Sequence, residues 1–304
     1  MNNKLIVRIA EGLGNQLFMY ARAYSLAKKT NYKLFIDDKS GYFKKKDIRS
    51  YLLNNFNISG DKADKSDIYD NTFKDIKKKI LVKIDKFKTK KKFIHEIKDS
   101  NKTTKFYNIN SSDLSNNIYL EGNFETEKYF IDHKNDIIKE FTLINSDNYK
   151  QSKYYKLIKN NYSSVVSIAV RTNRYSERIG NKNNKESILK SDIFVKNTIE
   201  YINRAITEIS KKIEKPIFLI WSNNFNGLRE YFPENRFTFI DNRQEKTLND
   251  FYLLMHCKNF IVGPTSFHWW GAWLSNYQDK ICFRPKNINQ SNNENFWPES
   301  WISI

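Results

Sequence analysis

A short apolar run that breaks into a glycine-rich turn and then a helical pattern constrains this chain more than any other feature. Residues 4 to 9 (Lys-Leu-Ile-Val-Arg-Ile) read as a largely buried strand. Glu11-Gly12-Leu13-Gly14-Asn15-Gln16 reads as a tight turn. Leu17 to Lys29 carries Leu17, Phe18, Ala21, Tyr24, Leu26 and Ala27 at helical spacing, and Lys33 to Asp37 reads as a second strand. Strand, glycine turn, helix, strand is the opening of an α/β sheet domain.

The alternation resumes downstream. Residues 40 to 115 are polar and Lys-rich and read as mostly helical with loops. A short strand is expected at Ile118–Glu121 and a helix from about Thr126 to Phe141. Residues 145 to 162 read as an interdomain connection. Strands are then expected at Ser164–Val170, Ile217–Trp221, Phe237–Ile240, Asn259–Val262 and, last, Lys280–Phe283, with helices at Ser191–Lys212, Thr247–His256 and Thr265–Leu274. The expectation is two Rossmann-like α/β domains facing a cleft, an N-terminal one over 1–150 with a Lys-rich helical insertion and a C-terminal one over 151–304. A length of 304 residues suits two such domains.

Composition excludes several classes. Aromatics at 15% rule out a disordered chain. Two cysteines, Cys257 and Cys282, leave no disulfide framework and suit a reducing compartment. The apolar start is interrupted by Arg8 and is too short for a signal peptide, and a run long enough to span a membrane is lacking, so a cytoplasmic location is expected.

The formal charge is +18, and half of it sits between Lys74 and Lys105, where 13 Lys meet Asp75, Asp85, Glu96 and Asp99. Ile76, Ile80, Ile84 and Phe87 recur there at helical spacing. That pattern reads either as a basic amphipathic helix in peripheral contact with an anionic membrane or as a solvated helix whose apolar stripe packs on its domain. A nucleic-acid partner is not expected, because the Lys run lacks interleaved stacking aromatics. Arginine is scarce: 11 of 52 basic residues, none between Arg49 and Arg171, and then Arg171, Arg174 and Arg178 together. Where Lys is the default base, clustered Arg points to bidentate contact with phosphate or carboxylate.

Three stretches could carry chemistry. Gly12 and Gly14, between strand and helix, let backbone amides approach an anion at a helix start. The third glycine of the dinucleotide fingerprint is missing, and a purely structural turn is the competing reading. Arg171, directly after a strand, would point into a site crevice and neutralise a diphosphate leaving group, unless it is a surface residue. Gly263-Pro264-Thr265-Ser266 follows a strand and opens a helix, with two hydroxyls for a second phosphate contact, while Trp270 and Trp273 read as core. No Asp-x-Asp pair, Walker loop or nucleophile elbow is present, and the four His lack metal-ligand spacing.

The opening IVRIAEGLGNQLFMYARAYSLA resembles that of glycosyltransferase family 11, the bacterial α-1,2-fucosyltransferases. So do YLEGNFETEKYF (Tyr119–Phe130), DFYLLMHCKNFIVGPTSFHWWGAWL (Asp250–Leu274) and the final Phe296-Trp297-Pro298 and Trp301-Ile302. The resemblance implies a GT-B-type α/β fold. It implies inverting, metal-independent transfer of L-fucose from GDP-fucose, with no cofactor, to a galactose hydroxyl of a surface glycan or lipopolysaccharide precursor. By its motifs Gly12, Gly14, Asn15 and Gln16 would lie near the pyrophosphate, with Asn15 catalytic. Arg171 would hold the β-phosphate, Thr265 and Ser266 would contact phosphate, and Asp250 would sit near the nucleoside. The family's His-x-Arg-Arg-Gly-Asp-Tyr stands here as Ala169-Val170-Arg171-Thr172-Asn173-Arg174-Tyr175. Arg174 would supply the lost charge. Glu11, where the family has Gly, reads as a general base for the acceptor or as a solvated turn residue. These departures leave open another GDP-sugar donor or a degenerate glycan-binding homologue.

Overall fold

The structure is a computed structural model that describes residues 3–44, 49–177, 179–242, 246–288 and 292–304. Arg178, the third member of the arginine cluster, lies outside the described residues. The chain divides into two compact units, Met1–Ile144 with Ser291–Pro298 and Asn145–Gln290 with Glu299–Ile304. Both are α/β, and each is built on one parallel sheet, the two Rossmann-like units of a GT-B-type protein.

In the first unit β1 (Lys4–Arg8) leads through α1 (Leu13–Thr30) to β2 (Lys33–Asp37). Then come β3 (Asp61–Lys62), α2 (Thr72–Asp85), β4 (Lys91–His95), a small antiparallel pair β5 (Ile97–Lys98) and β6 (Thr104–Lys105), β7 (Leu114–Glu121) and α3 (Lys134–Glu140). The sheet order is β3-β2-β1-β7-β4, with Leu5 opposite Leu34 on one side and Ile118 on the other. α1 is buried around its whole circumference from Leu17 to Ala27, with Phe18 against Phe130 and Phe296 and Tyr20 against Phe141. Phe296 explains why residues 291–298 return to this unit, a crossing that a single boundary at 150 does not anticipate.

Three expectations are corrected here. α1 starts at Leu13, not Leu17, because the Gly12 carbonyl accepts from the amides of Asn15 and Gln16 at 3.0 and 3.1 Å. Among the described residues of 40 to 115 are one α-helix of 14 residues, β3 to β6 and the start of β7 rather than mostly helix. Only Phe93 and Ile94 are buried in β4, so its own pattern is weak; pairing with β7 makes it a strand. The Asp85 carboxylate turns the chain into it, accepting from the amides of Lys92 and Phe93, both at 2.9 Å. The helix expected from Thr126 is two 3-10 turns followed by the short α3.

The second unit begins with two short helices, α4 (Asp147–Lys150) and α5 (Lys153–Asn160), where a plain connection is expected. It continues with β8 (Val165–Val170), α6 (Lys185–Ser210), β9 (Ile217–Ser222), β10 (Phe237–Phe239), α7 (Lys246–Met255), β11 (Asn259–Ile261), α8 (Ser266–Leu274), β12 (Cys282–Arg284) and β13 (Ile302–Ser303). α6 starts six residues before Ser191, where the Asn184 side chain accepts from the Ser187 amide at 2.9 Å. β13 is a strand the pattern does not show; two residues long and exposed, it exists by pairing with β12. Sheet order is β10-β9-β8-β11-β12-β13. Numbered within the unit this is 3-2-1-4-5-6, the doubly wound dinucleotide-binding order, which reverses between β8 and β11. β8 is buried at every position and packs on Ile199, Ile202 and Ile206 of α6. Tyr201, within that core, donates to the carbonyls of Phe283 and Val262 at 2.8 and 3.2 Å. Trp270 and Trp273 are core, as expected, Trp269 is buried beside them, and Cys257 and Cys282 are free and buried.

Candidate active site

Open parallel sheets bind ligands beyond the carboxyl ends of their strands, where strand order reverses. In the second unit that point lies between β8 and β11, and the loops following those two strands carry Arg171, Arg174, Thr265 and Ser266. Four of the expected residues therefore share one crevice edge.

Hydrogen bonds fix this edge. Arg171 is half-buried and paired with Glu177. Arg174 reaches across, its Nη1 donating to the Pro264 carbonyl at 3.3 Å, with its guanidinium 5.0 Å from the Phe194 ring centre. The loop after β9 braces the one after β8, Asn223 Oδ1 accepting from the Thr172 amide at 3.1 Å and its Nδ2 donating to Asn173 at 3.0 Å. Ser191 Oγ accepts from the amides of Tyr175 and Ser176. With Arg171 held by a carboxylate and Arg174 by a carbonyl and a ring, both guanidinium forks are fixed in orientation, which is what bidentate phosphate recognition needs.

The loop after β11 is set by a glycine and a histidine. A Cβ on Gly263 would sit 2.2 Å from the Ala169 carbonyl oxygen, so only glycine lets the loop lie against β8. His268, on α8, is buried; its Nδ1 accepts from the Gly263 amide at 2.9 Å. Nε2 therefore carries the proton and donates to Ser167 Oγ of β8 at 2.8 Å. Burial pushes its pKa down to about 3, so the ring is neutral. Thr265 is the N-cap of α8, its Oγ1 accepting from the His268 amide at 3.2 Å while the hydroxyl proton stays available to an acceptor. Thr265 and Ser266 are almost buried, each exposing 9% of its surface. Asp250, on α7, is buried and accepts from Asn242 Nδ2 at 2.6 Å, beyond the end of β10.

In the first unit the order reverses between β1 and β7, and the Glu11–Asn15 turn follows β1. Gly12 is the N-cap of α1 and offers no side chain to the first amides, so that end of the helix dipole lacks a side-chain cap. Gly14 and Asn15 fall in the first turn, and the Arg49 side chain lies against Gly12, 3.5 Å from where a Cβ would be. Glu11 sits at φ 63°, the left-handed region in which the family glycine is at ease. Its side chain is half-buried. Tyr42 lies beside it, its pKa raised first by burial and then by the Glu11 charge.

Gln16 departs from the role expected of it. It is fully buried, its Nε2 donating to the carbonyls of Glu11 and Ser50 at 2.9 and 2.8 Å and its Oε1 accepting from the Leu52 amide at 2.9 Å. A carboxamide so committed positions the turn instead of touching a ligand.

Sequence reasoning misses Glu177, the carboxylate that holds Arg171, because it falls outside the motif window. It also misses His268, whose role depends on strands distant in sequence. A third omission is the charged cluster at the ends of β1, β4 and β7. Glu121 binds Arg8 Nη1 at 3.2 Å and Lys78 Nζ at 2.9 Å. Burial raises its pKa, yet Arg8, Lys78 and His95 together more than offset that and leave it below the ordinary value. An arginine inside the apolar run of β1 is the available signal. Asp37, at the end of β2, accepts from Tyr119 Oη at 2.6 Å and the Ser40 amide at 2.8 Å, so it is spent within the fold.

This arrangement, a doubly wound sheet with arginines and a helix N-terminus at its reversal point, suits an anionic ligand. Residues 4–304 match Glycosyl transferase family 11. The chain belongs to that family and is a glycosyltransferase. It is 28% identical to the Escherichia coli Alpha-1,2-colitosyltransferase, over 99% of this chain and 98% of that one. It is 25% identical to the Escherichia coli O-antigen biosynthesis glycosyltransferase WbnK, over 97% and 99%. Among solved structures it is similar to the fucosyltransferase NodZ from Bradyrhizobium, with 14% identity and a TM-score of 0.49 over 89% of this chain and 92% of that one.

Proposed function

We propose that this glycosyltransferase moves a 6-deoxyhexosyl group, L-fucose or its relative colitose, from a GDP-sugar to a sugar hydroxyl of an O-antigen or similar surface-glycan precursor. Transfer would be inverting, without a metal, and would form an α-1,2 linkage to a residue such as galactose. The observation that carries this reading is the joining of Arg174 to Pro264, which sets two arginines and the start of α8 on one crevice edge.

The chemistry follows from charge. As the glycosidic C–O bond of the donor breaks, positive charge grows on the sugar and negative charge on the departing diphosphate. Donors fixed before the reaction stabilise that developing charge more than the ground state. Arg171 and Arg174 supply the cations, Thr265 and Ser266 the hydroxyls, and the α8 amides the dipole. The second unit is the nucleotide-sugar-binding one and the first the acceptor side. Glu11 would take the acceptor hydroxyl's proton as that oxygen attacks the anomeric carbon, and Asn15 would hold the reacting groups from the first turn of α1.

Two donor sugars fit this reading. The relative named for colitosyl transfer spans this whole chain, while Thr172-Asn173-Arg174 replaces the family's Arg-Gly-Asp. Release of GDP from GDP-fucose and from GDP-colitose, each with a galactose-terminated acceptor, tests the reading. Turnover of either supports transfer; binding of GDP with turnover of neither would make the chain a degenerate homologue.

A further inference from the structure

Helix α2 is turned inside out. Its inward face consists of Asp75, Lys78 and Asp85, all buried, with Leu81 and Val82 packed partly on Tyr69, Phe93 and Tyr119. Its outward face carries the apolar residues: Phe73 is 78% exposed, Ile76, Ile80 and Ile84 about half exposed, and Phe87, just past the end, 92%. At about 100° per residue those five side chains share one arc of about 80°. The stripe expected to pack on its domain, if the helix were an ordinary solvated one, therefore faces outward.

Inward charges are satisfied and hold the helix this way round. Lys78 pairs with Glu121, Asp75 with Lys44 and Lys79, and Asp85 with the amides that open β4. Exposing five large apolar groups on a single arc has no stabilising counterpart in water.

Charge decides what covers them. From Lys74 to Lys92 ten Lys stand against Asp75 and Asp85, and both carboxylates face inward. Lys79, Lys83 and Lys86 flank the stripe on one side, Lys77 and Lys88 on the other, all exposed. A second copy would bring two such rims together and repel. Nucleic acid would meet the lysines but leave the isoleucines wet. An anionic bilayer satisfies both, since acyl chains receive the stripe while lysines snorkel to phosphate. No helix among the described residues is long and apolar enough to cross a membrane, so the contact is interfacial.

We infer that the α2 face, from Phe73 to Phe87 with its lysine rim, is a docking surface for anionic lipid. It rests on the geometry of α2 and does not depend on which sugar is transferred.

The test is co-sedimentation of the full chain with vesicles of phosphatidylcholine containing about one-third phosphatidylglycerol, at low and at ~0.15 M salt. Two variants accompany it, Ile76→Ser/Ile80→Ser/Phe87→Ser and Lys77→Gln/Lys83→Gln/Lys86→Gln. The altered side chains are exposed, so circular dichroism should match the wild type. Expected is binding to the anionic vesicles, with the partition coefficient at least about tenfold lower on pure phosphatidylcholine and about tenfold lower for each variant. Wild type left in the supernatant at low salt overturns the proposal, as does an apolar variant that sediments like wild type. A dimer in sedimentation velocity that the apolar variant dissolves, without vesicle binding, overturns it in favour of a second copy.

Discussion

Protonating His268 should loosen the edge formed by the loops after β8 and β11, and the cost can be worked from the structure. The ring is buried and neutral, tying Gly263 of one loop to Ser167 of β8. Its pKa is about 3 in the fold against 6.5 ordinarily. Between those values the unfolded chain binds a proton that the folded chain refuses. The stabilisation is therefore complete above pH 6.5 and is lost as pH falls, by about 1.4 kcal/mol for each unit. At pH 5 about 2 kcal/mol is gone, and near pH 3 about 4 kcal/mol. Other groups titrate over the same range, so the quantity to measure is a difference. His268→Asn keeps an acceptor for the Gly263 amide but cannot titrate. Urea unfolding followed by tryptophan fluorescence reports the second unit, which holds Trp221, Trp269, Trp270, Trp273 and Trp301, all but one of the six. Wild type should lose its advantage over the variant between pH 7 and pH 5, by about 2 kcal/mol. An advantage that is the same at both values would refute a neutral, burial-depressed His268.

Further outcomes follow from single contacts. Gly263→Ala, whose Cβ would meet the Ala169 carbonyl at 2.2 Å, should cost about 3 kcal/mol in urea unfolding and abolish GDP binding in the same preparation. Gln16→Ala removes three hydrogen bonds between a buried carboxamide and part-buried backbone groups and empties its site, so thermal unfolding should show a loss of about 3 kcal/mol in the first unit. Asp85→Ala removes the acceptor for the Lys92 and Phe93 amides and should destabilise by about 2 kcal/mol, with β4 amides exchanging faster with deuterium. Glu11→Gln should lower kcat about 100-fold or more while leaving GDP affinity within about twofold, the split expected of a base acting on the acceptor.

The elements whose burial is carried by their own pattern are legible in the sequence. β8 reads as a strand because every position is apolar or small, and α8 as a helix because Thr265 caps a continuous apolar run. That Arg171 and the Thr265–Ser266 pair meet at one edge is legible because each lies in the connection after a strand, and parallel strands deliver their loops to one edge. What escapes depends on partners far away in the chain. β4 is a strand through Asp85 and β7, not through its own Lys-Lys-Phe-Ile-His. Gln16 reads as a ligand contact because it sits beside two glycines, yet Ser50 and Leu52 claim its carboxamide. The periodicity of α2 leaves open which way its isoleucine stripe points. Buried pairing of Lys78 with Glu121, invisible in that periodicity, turns it outward.

The central claim is that the loops after β8 and β11 form a diphosphate clamp. Isothermal titration of GDP, GDP-fucose and GDP-mannose into wild type and Arg171→Ala, without added metal, tests it most directly. The account predicts that wild type binds GDP and GDP-fucose and that Arg171→Ala weakens both by about 100-fold, the value of a charge-assisted phosphate contact. Equal affinity of the two proteins for GDP, or no binding of any nucleotide by wild type, would contradict it.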